Sequence, residues 1–272
     1  MHLDLHLHST CSDGSLAPRD VVVAARRAGL GVVALADHDT VAGVEPARAA
    51  AAAQGGIGIV TAAEFTAELD GAEIHLLGYA FRLDDPGVAA LTRRAAEARR
   101  SRLAAIVERL RGLGLSITVE DVTAEPECAS IGRLHVARAL VRTGRAGSIS
   151  EAFGRFIGDG APCYVPSRGP EVAEAIAVVA TAGGCAVWAH PSLEDARKFA
   201  QLKACGLAGV EALRPSLDPV SSSALESQAR AEGLFITGGS DWHGGTRPAL
   251  GSWFVTERHV GEFLERLGIA AR

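Results

Sequence analysis

The first eight residues alternate strictly between apolar and polar side chains. Leucine occupies positions 3, 5 and 7, and polar residues occupy positions 2, 4, 6 and 8. Because side chains of a β-strand point to opposite faces with a period of two, the pattern predicts a strand that holds His6 and His8 on one face. Asp13 follows in a turn closed by Gly14. Two imidazoles and a carboxylate at a strand end predict a metal site, the alternative being that the histidines are structural.

Downstream, short apolar runs alternate with amphipathic segments. Strands are predicted at residues 32–36, 57–62, 72–79, 185–189, 209–213 and 234–238, and helices at residues 18–29, 44–53, 171–182, 195–204 and 222–232. The Asp70-Gly71 pair predicts a turn that joins the strands at 57–62 and 72–79 into a hairpin. This alternation predicts an α/β fold with a largely parallel sheet.

The middle of the chain has a helical pattern instead. Residues 88–112 predict one long, arginine-rich helix, and residues 136–143 and 149–157 predict two shorter ones. We therefore expect an α/β domain made of residues 1–82 and 166–272, and a mainly helical insertion made of residues 83–165.

The composition is that of an ordinary globular protein. The chain has 272 residues, of which 48% are hydrophobic and 22% charged, and a net charge of −5, so no overall positive field attracts duplex nucleic acid. Five cysteines without a C-x-x-C pair argue against a disulfide framework and a zinc ribbon. Neither a signal peptide nor a membrane span is predicted. We expect a cytoplasmic protein.

Residue types that bind metals recur at the ends of the predicted strands. In a (β/α) barrel these carboxyl ends form a single rim, which carries the active site. Six histidines and three acids are too many for one four-coordinate ion and enough for two or three ions that share a carboxylate. Each residue alone has a structural alternative, such as capping a loop or a helix, but their joint placement favours a metal site. The nine residues are His6, His8, Asp13, His38, Glu64, His75, His190, Asp241 and His243.

These residues resemble the motifs of the PHP (polymerase and histidinol phosphatase) family. The motifs are His6-x-His8 with Asp13-Gly14, Asp37-His38-Asp39, Glu64 with His75, His190-Pro191, and Asp241-x-His243. The resemblance covers the whole chain in order. It implies a distorted (β/α)7 barrel, a centre of three divalent metal ions and phosphoester hydrolysis. It favours Mn²⁺, and the ligand types would also accept Fe²⁺ or Zn²⁺.

The resemblance also implies how the ligands are divided. One ion would be bound by His6, His8, Glu64 and Asp241, a second by Asp13, His38 and His243, and a third by Glu64, His75 and His190. Asp37 and Asp39, on either side of His38, are candidates to orient a ligand or to move a proton.

The insertion carries a narrower resemblance. Residues 131–138, with Arg133-Leu134-His135, and residues 160–166 resemble segments of small PHP phosphoesterases that act on nucleoside 3′,5′-bisphosphates and on the 5′ ends of short RNA. The resemblance implies that Arg133 and His135 bind a remote phosphate, for which a planar guanidinium is well suited. The alternative is that Arg133 pairs locally and that His135 packs inside the insertion.

Three further arginines are candidate substrate contacts. Arg99 and Arg102 are three residues apart on the long helix and could share a face toward the cleft, whereas the other arginines of that helix are expected in solvent. Arg214, which follows the strand at 209–213, is a candidate phosphate contact or an unrelated surface residue.

We expect a metal-dependent phosphatase that acts on small phosphorylated substrates such as nucleoside 3′,5′-bisphosphates. Short 5′-phosphorylated oligonucleotides, degraded from the 5′ end, are further candidate substrates. One alternative is a histidinol-phosphate phosphatase. An alternative from another class is a non-catalytic metal-binding module of a replication or repair assembly, against which the complete set of ligands argues.

Overall fold

A single sheet of eight strands forms the centre of the computed structural model, which describes residues 1–124, 128–245 and 248–269. The order of the strands is β7-β6-β5-β4-β3-β2-β1-β8. Neighbouring strands are parallel, except that β4 is antiparallel to β3 and β5, and β8 is antiparallel to β1. The strands are β1 (His2–Leu7), β2 (Val32–Leu35), β3 (Gly58–Leu69), β4 (Ala72–Tyr79), β5 (Cys185–Trp188), β6 (Gly209–Leu213), β7 (Phe235–Gly238) and β8 (Val255–Thr256).

The sheet closes between the segment after β7 and β1. The Asp241 N–H donates to the His6 carbonyl at 2.9 Å, and the His8 N–H donates to the Trp242 carbonyl at 3.0 Å. Gly239 allows this approach, because a Cβ at that position would lie 2.1 Å from the Cβ of His6. The predicted α/β barrel is therefore confirmed.

Helices cover the outside of the barrel and form the insertion. A π-helical turn (Phe153–Ile157) continues α6, and a 3₁₀ helix (Leu193–Lys198) precedes α8. No helix of the described residues is long and apolar enough to cross a membrane. The helices are α1 (Pro18–Arg27), α2 (Val44–Gln54), α3 (Pro86–Gly112), α4 (Val119–Val122), α5 (Arg133–Arg142), α6 (Ile149–Ala152), α7 (Val172–Thr181), α8 (Phe199–Ala204), α9 (Pro219–Ala231) and α10 (Glu257–Arg266).

Strand β3 is longer than predicted. The prediction ended this strand at residue 62, whereas β3 pairs with β4 without interruption from Ala62 opposite Tyr79 to Leu69 opposite Ala72. The predicted turn at Asp70-Gly71 is confirmed. Cross-strand pairing through the hairpin therefore extends β3 past the point where its own apolar run ends. The sequence pattern did not reveal α4 and β8, because four and two residues are too few to show a period.

Helix α3 connects the barrel to the insertion. Its 27 residues span about 40 Å. Val88 and Leu91 near its start pack in the barrel's apolar cluster, whereas Leu103 and Leu110 pack with Leu140 in a separate cluster of the insertion. Because β4 runs opposite to its neighbours, α3 starts below the barrel and runs back toward the rim. The division of the chain at residues 83 and 165 stays a prediction.

Candidate metal centre

The nine candidate ligands meet at the rim where the parallel strands end. Adjacent imidazole rings form a continuous arc, with centroid separations of 5.0 Å for His6–His8, 4.7 Å for His8–His38, 5.1 Å for His38–His75 and 5.2 Å for His75–His190. His75 reaches the rim from the opposite direction, because antiparallel β4 begins on the side where β3 and β5 end. Residues from separate strands thus form a single site.

The ligand atoms fall into three overlapping groups, in each of which they lie within 4.8 Å of one another. The first group has the four members expected for one ion. The second contains the expected three residues and also His8, and the third contains His38 where His190 was expected. The groups are His6, His8, Glu64 and Asp241; His8, Asp13, His38 and His243; and His38, Glu64 and His75.

Glu64 is the centre of this arrangement and is fully buried. Its Oε1 lies 2.9 Å from His75 Nδ1 and 2.9 Å from His190 Nε2. Its Oε2 lies 2.9 Å from His38 Nδ1 and 3.2 Å from His6 Nε2. Burial alone would raise the pKa of this carboxyl group, but the surrounding histidines outweigh it and hold the pKa well below its usual range.

Three buried atoms around Glu64 fit a cation. His6 Nε2 and His38 Nδ1 both lie near Glu64 Oε2, yet none of these three atoms has a hydrogen-bond partner within the described part of the chain. Buried polar atoms without partners are costly and rare. Divalent cations bound by the first and third groups would satisfy these atoms, since the first contains His6 with Glu64 and the third His38 with Glu64. Imidazole nitrogens and carboxylate oxygens are suitable donors for such cations.

Strained backbone occurs at the same rim. Asp39, His190 and Asp241 have φ angles of 50°, 37° and 54°, a left-handed region that residues other than glycine seldom adopt. Such conformations cost about 1–3 kcal/mol each and persist where the surrounding structure holds them. Here they lie at two of the candidate ligands and beside a third.

Sequence reasoning missed Glu211, which holds two of the candidate ligands in place. This residue of β6 is fully buried. Its Oε1 lies 2.9 Å from His6 Nδ1, and its Oε2 accepts the His190 N–H at 3.0 Å. With Nδ1 donating to Glu211, the His6 Nε2 lone pair points toward Glu64, the tautomer that a metal ligand requires. An acid inside the apolar run Gly209-Val210-Glu211-Ala212-Leu213 was the signal in the sequence.

Asp4 supports the first strand from inside the barrel. Its Oδ1 accepts the Ser240 N–H at 2.9 Å and the His6 N–H at 3.3 Å. Burial raises the pKa of this carboxyl group to about 6. It therefore ties β1 to the segment that closes the barrel.

Asp37 and Asp39 are enclosed by hydrogen-bond donors. Asp37 accepts the Ser9 N–H at 2.7 Å, the Ser9 hydroxyl at 2.6 Å and the Ser12 hydroxyl at 2.7 Å, so it fixes the loop that carries Asp13. Asp39 accepts the Thr66 N–H at 2.7 Å and the Arg99 Nε–H at 2.7 Å. Both side chains are buried.

The nine candidate ligands together are called the metal rim. Three of the predicted substrate contacts face a cavity of about 270 Å³ above it. Arg99, Arg102 and Arg133 line it together with candidate ligands that include His38 and His75. Arg102 donates to the Val165 carbonyl at 2.7 Å, and Arg133 pairs with Asp159 at 2.5 Å. Each guanidinium group also pairs with a carboxylate, of Asp39, Glu73 and Asp159 respectively, and their remaining N–H groups are suitable donors for an anion.

The other two predicted contacts, His135 and Arg214, do not line this cavity. His135 is buried, and its Nδ1 accepts the Gly132 N–H at 3.0 Å. Arg214 donates to the Pro191 carbonyl at 2.8 Å and to the Glu211 carbonyl at 3.1 Å. These contacts place both side chains in the framework of the site.

A second cavity of about 490 Å³ continues from the first beside His75 and His190. The two cavities share three lining residues, Glu73, His75 and Arg133, and therefore adjoin. Together the two cavities make up the catalytic cleft. The guanidinium carbon of Arg133 lies 5.3 Å from the centroid of the Tyr164 ring, which also faces the cleft. Acidic residues (Glu73, Asp159 and Asp195) line this cavity beside the basic ones (Arg133 and Lys198). The volume of the cleft, the Tyr164 ring and the Arg133 guanidinium are suitable for a nucleotide.

An α/β barrel with these ligands at its rim, and with Arg99, Arg102 and Arg133 above them, is typical of a metal-dependent phosphoesterase. The model of the PHP domain matches residues 4–116. The chain belongs to the PHP family, and both the family resemblance and the expected phosphoesterase class are confirmed.

Similar proteins extend the match over most of the chain. The 3′,5′-nucleoside bisphosphate phosphatase of Chromobacterium violaceum is 31% identical over 260 residues, 89% of this chain and 87% of that protein. The 5′-3′ exoribonuclease Rnm of Escherichia coli is 30% identical over 247 residues, 88% of this chain and 84% of that protein. The crystal structure of a candidate metal-dependent phosphoesterase from Bifidobacterium adolescentis superposes with a TM-score of 0.88 at 33% identity, covering 97% of this chain and 96% of that one.

Proposed function

We propose that this protein is a nucleotide phosphatase that removes a terminal phosphate from nucleoside 3′,5′-bisphosphates and also acts on short 5′-phosphorylated oligonucleotides. The observation that carries the proposal is the cleft in which Arg99, Arg102 and Arg133 face the metal rim. A bisphosphate has one phosphate to react at the rim and a second to bind a guanidinium. The names of the relatives from Chromobacterium violaceum and Escherichia coli support both substrate types.

We propose three divalent ions, with Mn²⁺ preferred over Fe²⁺ and Zn²⁺, bound by the nine candidate ligands as the sequence predicts. His8 belongs to the first and second ligand groups, and His38 to the second and third, so each could bind either of two adjacent ions. Bound ions would supply Lewis acidity at neutral pH and neutralise charge on the phosphoryl oxygens.

The remaining predicted residues divide into two roles in this proposal. Arg133 and Arg102 bind the remote phosphate, since binding energy there is available at the reacting centre. Asp37 and Asp39 orient their neighbours instead of moving protons, since each is enclosed by donors. His135 orders the start of α5 through its bond to the Gly132 N–H. An odd number of cysteines without a C-x-x-C pair supports action in a reducing cytoplasm.

The test is hydrolysis by metal-stripped protein to which Mn²⁺ is restored, measured as inorganic phosphate for the two small substrates and as nucleoside 5′-monophosphate for the oligonucleotide. The substrates are a nucleoside 3′,5′-bisphosphate, a 5′-phosphorylated oligonucleotide and histidinol phosphate, and we expect turnover of the first two. Asp13→Asn should abolish turnover, and Asp20→Asn, the same change on the exposed surface of α1, should not. Turnover of histidinol phosphate alone, or of none of the three, would overturn the proposal.

A further inference from the structure

A groove of about 440 Å³ lies outside the catalytic cleft, between α3 and residues 165–168. Ala98 and Ala105, which lie seven residues apart on α3, form a smooth floor, and Pro166 forms part of the opposite wall. Side chains this small leave room for the base or the ribose of a nucleotide.

The charge in this groove is of one sign. Arg102, Arg109 and Arg168 line it, and no acidic side chain occurs among the described residues that do so. Arg109 and Arg168 are exposed. Arg109 also donates to the Tyr164 carbonyl, so its guanidinium is held at the groove wall. Such a lining selects a polyanion over a neutral ligand.

The groove adjoins the catalytic cleft. Arg102 lines both this groove and the cavity above the metal rim, and Pro166 lines both the groove and the cavity beside His190. A chain whose 5′-terminal nucleotide occupies the cleft can therefore continue past Arg102 and Pro166 into the groove.

We infer that this groove binds the downstream backbone of a single-stranded 5′-phosphorylated oligonucleotide, with Arg109 and Arg168 contacting phosphates beyond the scissile one. The inference rests on the proposed function, because the 5′-terminal nucleotide occupies the catalytic cleft. A nucleoside bisphosphate has no phosphates beyond those in the cleft, so the groove distinguishes oligonucleotides from single nucleotides.

The test compares the double variant Arg109→Gln/Arg168→Gln with Arg100→Gln/Arg111→Gln. The second pair removes the same charge from exposed positions of α3 that do not line the groove. With Mn²⁺ present, we expect the first pair to raise KM for a 5′-phosphorylated pentanucleotide about tenfold, and KM for the bisphosphate much less. The single variant Arg168→Gln should show a smaller change in the same direction.

Binding supplies a readout that does not need hydrolysis. The anisotropy of a 3′-labelled pentanucleotide with a 5′-hydroxyl should report salt-dependent binding to the native protein. Loss of two phosphate contacts should reduce the slope of log affinity against log salt by about 1.4. If the affinity and slope match those of the control pair, or if bisphosphate KM rises equally, the groove assignment is wrong. If no substrate is hydrolysed while the binding difference persists, the proposed function fails and the groove is a single-strand binding site without that activity.

Discussion

Replacing Glu211 with glutamine tests whether this buried residue sets the geometry of the metal centre. Its two oxygens face two donors, His6 Nδ1–H at 2.9 Å and the His190 N–H at 3.0 Å. A glutamine side chain has one carbonyl oxygen and one NH₂ group, so it can accept from only one of these donors. The remaining donor then faces the glutamine NH₂ group, which cannot accept its hydrogen bond. Alternatively, His6 changes tautomer and places its proton on Nε2, which points toward Glu64.

The magnitude follows from burial, since Glu211 and His6 are both inaccessible to solvent. A buried donor without a partner costs about 1–3 kcal/mol. Loss of a carboxylate that orients a ligating histidine lowers metal affinity by about 10- to 100-fold, or about 1.4–2.7 kcal/mol, so the two values agree. We therefore expect Glu211→Gln to lose about 10- to 100-fold in affinity for the ion that His6 binds, and to keep its fold.

Calorimetric titration of the metal-free protein with Mn²⁺, together with metal content after dialysis, measures this change. Glu211→Asp keeps two acceptor oxygens and should recover part of the affinity, whereas Glu265→Gln, at an exposed position of α10, should not differ from the native protein. Equal Mn²⁺ affinity in the native and Glu211→Gln proteins would refute the positioning role.

Three other perturbations test separate parts of the structure. Arg133→Gln should raise KM for a nucleoside 3′,5′-bisphosphate about tenfold and KM for a 5′-monophosphate far less. An equal increase in KM for both substrates would contradict a contact to the remote phosphate. In metal-free protein, burial alone would lower the pKa values of His75 and His243, but neighbouring carboxylates outweigh it and raise them from 6.5 to about 10 and about 9. The stabilisation that these raised pKa values supply is fully present below pH 6.5 and is lost as the pH rises toward 10, so the melting temperature of metal-free protein should fall over that range. The affinity for Mn²⁺ should rise over the same range, because the ligand histidines must be neutral to bind a metal ion. A flat melting profile would argue against these shifts. Leu140→Ala, in the insertion core, should lower the free energy of unfolding in urea by about 2–5 kcal/mol. Val220→Ala, at an exposed position, should lower it by less than about 0.5 kcal/mol. Similar decreases for the two variants would show that the insertion has no packed core.

The candidate ligands could be predicted because their signal is local. His6 and His8 share a face through the period of two in β1, and most of the other ligands follow short apolar runs that become strands. Strand ends of a barrel meet at one rim whatever the lengths of the connections, so placement along the chain predicts proximity in space. Proximity of the ligands at the rim therefore does not depend on the exact pairing of the strands.

Residues whose roles depend on orientation were harder to predict. Arg133 and His135 are two positions apart at the start of α5, yet Arg133 lines the cleft and His135 turns inward to the Gly132 N–H. Glu211 carries no motif, and its role depends on contacts with residues 21 and 205 positions away. Helical phase and long-range contact decide such roles, and neither can be determined from a short stretch of sequence.

The sequence by itself determined the alternation of strands and helices, the family and the residues that gather at the rim, since these depend on periodicity and order along the chain. Only the tertiary structure decided how β3 extends through its hairpin, how the segment at Gly239 closes the barrel against β1, and which guanidinium groups reach the cleft. Those features depend on pairing and packing between distant segments, for which many arrangements are compatible with one local pattern.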